Sequence, residues 1–194
     1  MIERNSLGRF TEPIQAALDS DATLLSEIAI RLLDSHFPAS LHENILGAAG
    51  LDVDWSGVGR RKRDSSFRPR VLAAYERRCA VCELDLRIGP ISAALEAAHI
   101  KWHQAGGPDD ETNGLALCTL HHKLFDLGAF TLDASLRILV SDQIVGSAGK
   151  QEVLLQFHGR RIVGPQRPEQ EPSSEFVAWH AKEVFKGEAR HLAE

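Results

Sequence analysis

Cys79-Ala80-Val81-Cys82 opens, and Cys118-Thr119-Leu120-His121-His122-Lys123-Leu124-Phe125-Asp126 closes, the segment around which the chain is organised. Between them lie Ala98-His99-Ile100 and Asn113-Gly114-Leu115. Two donor patterns interleave here. CxxC followed by CxxH places two pairs of soft or borderline donors on tight turns, and four such donors suit one tetrahedral zinc. The competing reading, three buried thiols filling space, does not explain why both pairs have ligand spacing. A closed four-ligand site leaves no coordination position for water, so Cys79, Cys82, Cys118 and His121 are expected to hold a structural Zn²⁺. The second pattern uses the residues left over: His99, Asn113 and His122, with His122 directly after the expected zinc ligand.

These residues, the Gly-rich loop "AGGPDDETNGL" and the "LCTLHH" run together resemble the HNH nuclease family over about residues 67 to 135. The resemblance implies an α+β fold: a ββα-metal finger, two strands and a helix around a metal, with a zinc knuckle and flanking N- and C-terminal helices. It implies a metal-dependent endonuclease acting on DNA. The wider text, "LLDSHFPASLHENI" and "AAHIKWHQAGGPDDETNGLALCTLHHKLFDLGAFTL", further resembles bacterial restriction endonucleases that attack modified DNA, some reading phosphorothioate or methylated sites through an upstream domain. Double-stranded, modified DNA is the partner this implies, and two copies could act together as a homodimer.

Chemistry gives each residue a role beside its bland alternative. His99 has a near-neutral imidazole that can take a proton from an attacking water, although a lone histidine in an apolar strand is more often a satisfied core residue. Asn113, in the family, holds the loop that positions the base and sometimes reaches the metal; alone it is an ordinary turn asparagine before glycine. His122 and Asp126 stand four apart, one helical turn, and can direct nitrogen and oxygen donors at one Mg²⁺, Mn²⁺ or other divalent transition ion. Asp126 could equally cap or solvate the helix. One departure from the family stands out. Ala98 occupies the place before the base where many members carry a further ligand, so Glu96, two residues away on the same strand face, and His103 are the substitutes to consider. That departure keeps a second reading open, a zinc-stabilised DNA-binding module that does not cleave.

The whole-chain numbers agree with this class. At 194 residues the chain can bury a core without disulfides, and 43% hydrophobic with 25% charged residues is ordinary globular composition. Three cysteines, all inside the knuckle pattern, fit metal ligation in a reducing compartment. No apolar run approaches the ~18 residues of a membrane span, and no signal peptide opens the chain, so a cytoplasmic location is expected. With a net charge of −5, DNA contact has to come from local patches. "GRRKRDSSFRPR" at 59 to 70 is one, and Arg60, Arg61, Lys62 and Arg63 are its expected phosphate contacts, although a basic run is as often a solvated face.

Two domains are expected: a helical N-terminal segment, 1–58, either scaffold or the remnant of an upstream recognition domain, and the nuclease domain, 59–194. In the first, Leu25, Ile28, Leu32 and Leu33 predict a helix over 22–36 with Asp21 as its N-cap, and Ser40 with Glu43 predicts a capping box for a helix ending at Gly50. In the second, Ser66 starts a helix through Arg77 with Phe67, Val71, Leu72 and Tyr75 on one face. "LDLRI" and "AALEAAHI" read as strands around a Gly89-Pro90 turn, and Gly114 to Leu117 as the second ribbon strand. The finger helix begins around His121, a hairpin turns at 133–135, and a last helix carries Phe176, Trp179 and Val184 inward.

Overall fold

A computed structural model describes residues 10–21, 23–51, 53 and 66–191. The expected phosphate contacts at 60–63 lie outside the described residues. The N-terminal part holds α1 (Glu12–Ser20), α2 (Leu24–His36) and α3 (His42–Ala49). α2 forms where the periodicity places it, but its buried residues are Ile30 and Leu33, while Leu25, Ile28 and Leu32 are exposed. The reason is local. Ile30 and Leu33 meet Leu46 of α3 and Val53 in a small separate core, so the inward stripe is set by α3 rather than by the larger core. Asp21 is not the N-cap; that position is Thr23, whose N–H and hydroxyl donate to the Asp21 carboxylate in a turn just before the helix. The capping box is absent too. Ser40 lies inside a 3₁₀ turn, Ala39–Leu41, and its hydroxyl donates to Asp126 of the finger. Gly50 does end α3, at φ 66°.

α4 (Phe67–Ala74) buries the expected face, Phe67, Val71, Leu72 and Tyr75, but stops short of Arg77. Glu76 and Arg77 adopt left-handed backbone, φ 53° and 58°, and the Arg77 N–H returns to the Leu72 carbonyl at 2.7 Å, closing the helix as a Schellman turn does. "LDLRI" yields only a two-residue strand, β1 (Arg87–Ile88), paired with β2 (Ile91–Ser92) across the Gly89-Pro90 turn. The chain then leaves this hairpin to form β3 (Leu95–His99), which pairs antiparallel with β4 (Gly114–Cys118) from Leu95↔Cys118 to His99↔Gly114. α5 (Thr119–Asp126) follows at once, two residues earlier than expected. β3, β4 and α5 are the ββα unit.

The hairpin β5 (Phe130–Leu132) and β6 (Ile138–Val140) forms as expected, followed by a short α6 (Lys150–Val153) and by α7 (Ser174–Glu183). α7 turns Val177 and His180 inward, with Val184 just beyond it, and leaves Phe176 and Trp179 half-buried. His180 is the unexpected core residue. Its ring stacks on Phe125 at 3.7 Å, Nε2 donates to the Phe125 carbonyl at 3.2 Å, and Nδ1 accepts from the Thr131 hydroxyl at 2.9 Å. Gly128 completes the dock: at φ 75° any Cβ would lie 2.1 Å from the Val184 carbonyl oxygen. Trp102 joins both flanks to the central ββα unit, its ring lying 6.3 Å from Phe37 and 5.7 Å from Trp179. Among the described residues no helix is long and apolar enough to cross a membrane.

Burial holds the His180 ring neutral, its pKa lowered from 6.5 to about 4. Between those values only the unfolded chain takes the proton, so stability falls as pH drops through this window and the group contributes nothing further above it. The full effect is about 3 kcal/mol. Urea unfolding at pH 7.5 and pH 4.5 should show a smaller acid-induced loss for His180→Gln than for wild type, the difference separating this ring from all other titrating groups.

Candidate functional site

The knuckle is assembled by a turn and a strand end. The Ala80 N–H donates to the Ala116 carbonyl at 2.8 Å, so the Cys79–Cys82 turn is tied to β4, and Cys118 ends β4 as the N-cap of α5. The four donor atoms of Cys79, Cys82, Cys118 and His121 all lie within 4.8 Å of one another. His121 Nδ1 is 3.1 Å from Cys118 Sγ and 3.7 Å from Cys79 Sγ, while Nε2 donates to the Val153 carbonyl at 2.8 Å. That bond fixes the tautomer that turns Nδ1 to the thiols, the outer support metal-bound histidines commonly have. Hydrogen bonds with Cys118 and Cys82 hold the Cys79 thiol well below its usual range, and those with Cys118 and Cys79 push the Cys82 thiol up. Burial opposes charge on His121, yet its bonds to Cys118 and Cys79 raise it to about 10. Such proton sharing is what three thiols and a ring do before a cation replaces the protons. The spacing fits one tetrahedral ion with Zn–S near ~2.3 Å.

The second group centres on His122. Its Nδ1 bonds Glu96 Oε2 at 2.5 Å and its Nε2 lies 3.2 Å from Asp126 Oδ2. Burial disfavours a charged His122, but the two carboxylates outweigh it and raise its pKa to about 9. The bond to His122 in turn lowers Glu96. The Nε2 to Oδ2 separation matches two ligands sharing an edge of an octahedral ion, about 3 Å for bonds near ~2.1 Å. Glu96 is placed on the opposite edge of the ring, so it orients His122 rather than sharing an ion with Asp126. Asp126 is buried, 3% exposed, and also accepts from Ser40.

His99 belongs to a third set of contacts. At the end of β3, three residues beyond Glu96, its ring stacks on Phe67 of α4 at 4.1 Å, and Nε2 lies 2.7 Å from Asp109 Oδ1. His103 is exposed and stands edge-on to His99 at 6.0 Å, beside the expected base and not in the His122 group. Asn113 is fully buried and spends its amide on the connecting loop: Oδ1 accepts from the Lys101 N–H at 2.8 Å, and Nδ2 donates to the carbonyls of Lys101 at 3.0 Å and Pro108 at 2.9 Å. Ala98 is fully buried and paired with Leu115.

The sequence reading missed Asp109, Phe67 as a ring partner, Ser40 and the Val153 carbonyl. Asp109 carried a signal, an acid beside the Gly-Gly-Pro turn. The others depend on tertiary contacts that no local pattern encodes.

Residues 79–133 match the model of a family described as HNH endonuclease. The segment that this model covers is thus similar to HNH endonuclease domains. No curated protein matches the chain. A solved structure titled modification dependent TagI restriction endonuclease is similar at 24% identity, covering 71% of this chain and 42% of that one with a TM-score of 0.47. The matched part thus spans less than half of that protein's length.

Adjacent residues on a helix point ~100° apart, which lets His121 and His122 serve separate groups. His121→Ala should therefore lose tightly bound zinc and melt earlier, whereas His122→Ala keeps both. Zinc stoichiometry by mass spectrometry with thermal melting checks this, and the reverse pattern would exchange the two assignments.

Proposed function

We propose that this chain is a metal-dependent DNA endonuclease that hydrolyses phosphodiester bonds. The observation that carries the reading is one ββα unit holding an imidazole against a carboxylate at the end of β3 and a His122–Asp126 pair at ligand separation on α5. His99 takes the proton from water as that water attacks phosphorus, the general-base role a strand-end histidine suits. His122 and Asp126 hold the divalent ion, with Glu96 orienting His122 and Asn113 clamping the loop. When bound, Mg²⁺, Mn²⁺ or a related ion supplies positive charge for the pentacovalent phosphorane and the leaving 3′ oxygen. The products then carry 5′-phosphate and 3′-hydroxyl. The Cys₃His cluster holds structural Zn²⁺ and takes no part in the reaction.

Restriction of modified foreign DNA in the cytoplasm is the role we infer, supported by the resemblance of residues 32–45 and of the finger to bacterial restriction endonucleases of that type. Recognition of the modification lies outside the finger. Arg60, Arg61, Lys62 and Arg63 would bring phosphate to it, and a homodimer would cut both strands. A second reading, a zinc-stabilised DNA-binding module that does not cleave, is favoured by one observation: buried Ala98 offers no ligand beside His99.

Plasmid nicking in Mn²⁺ or Mg²⁺ separates the two. Cleavage should disappear with EDTA, and His99→Ala should lose at least ~10²-fold in rate while keeping fold and DNA binding. Wild-type protein that never nicks modified or unmodified plasmid in any divalent ion would establish the second reading.

A further inference from the structure

The loop between β3 and β4 is held on both sides of Asp109. The buried Asn113 amide grips Lys101 and Pro108, and Gly107 passes so close to the Lys101 carbonyl that a Cβ would lie 1.9 Å from its oxygen. From α4, Arg70 donates through Nη2 to the Asp109 carbonyl at 2.6 Å and pairs through Nε with Glu111 at 3.1 Å. Asp109 therefore sits on fixed backbone, and its carboxylate meets His99 Nε2 at 2.7 Å with both side chains 19% exposed. Phe67, stacked within 14° of parallel, restrains the imidazole plane.

We propose that Asp109 is the positioning residue of the base: it accepts the Nε2–H of His99 and so assigns proton uptake from water to Nδ1. This rests on His99 being the base. A carboxylate bound to one imidazole nitrogen selects the tautomer with its lone pair on the other and stabilises the imidazolium that forms. In the step itself the water proton moves to Nδ1 and the water oxygen bonds to phosphorus. The bond from phosphorus to the 3′ oxygen breaks with its electron pair on that oxygen, which takes a proton from solvent. The imidazolium then returns its proton to solvent. Asn113 gains a definite consequence: its clamp acts on His99 through the placement of Asp109.

Asp109→Asn and Asp109→Glu test the assignment in the full chain, with kcat and KM for plasmid nicking in Mn²⁺, zinc content, and imidazole N–H resonances by NMR. Asp109→Asn should lower kcat about 10- to 100-fold at unchanged KM and zinc content. It should also move upfield the low-field imidazole proton that His99→Ala identifies by deleting it. Asp109→Glu should recover part of both. Wild-type kcat in Asp109→Asn, or a loss of kcat with the His99 resonance unmoved, overturns the proposal. If His99→Ala itself cuts at the wild-type rate, the base assignment fails instead, and the NMR result still decides whether the pair exists.

Discussion

Everything in the ββα core hangs on the junction at Cys118, where the last residue of β4 is also the N-cap of α5 and a donor of the Cys₃His cluster. One residue thus ends the ribbon, starts the helix and joins both to the Cys79–Cys82 turn. Because the helix begins there without a linker, His121 and His122 are placed by backbone geometry alone, one to each side of α5. A cation in the cluster would cross-link segments far apart in sequence, and such a site contributes its binding energy to folding directly. The charge chemistry of the His122 group sits one residue away yet shares none of those donors.

The flanks are fastened by polar contacts as much as by apolar ones. The Phe37 carbonyl accepts from Gln104 Nε2 at 2.8 Å and also bonds His42 Nε2 at 2.9 Å, so a residue of the β3–β4 connection and one of the N-terminal helices meet on one oxygen. On the other side His180 bonds the Phe125 carbonyl and Thr131 from within the core. A buried histidine with both nitrogens satisfied is specific about its neighbours in a way that an aliphatic residue is not. It sets the rotation of α7 against α5.

Short-range order was legible. The ligand spacing, the β5–β6 hairpin, the ribbon strands and the inward face of α4 all follow from local pattern, because turn chemistry and side-chain period are local properties. What escaped depended on partners distant in the chain. Ser40 looked like a cap because three residues separate it from Glu43, but its hydroxyl found Asp126, 86 positions away. The inward stripe of α2 was misread because Leu25 and Leu32 are as apolar as Leu33, and only the position of α3 decides among them. The extent of α4 was overestimated because nothing in Glu76 or Arg77 announces left-handed backbone. In the candidate site the histidines and Glu96 were legible from order and spacing, whereas the pairing of Glu96 with the Nδ1 of His122 and of Asp109 with His99 had to be assigned by tertiary geometry.

The hydroxyl of Ser40 on Asp126 makes the N-terminal helices a party to whatever occupies the His122 group. Binding equilibria linked through a shared contact are reciprocal: if docking of the 3₁₀ turn favours one orientation of the Asp126 carboxylate, a ligand preferring that orientation strengthens the docking by the same free energy. The Ser40–Asp126 contact thus links the flank to the centre by the free energy of that one hydrogen bond.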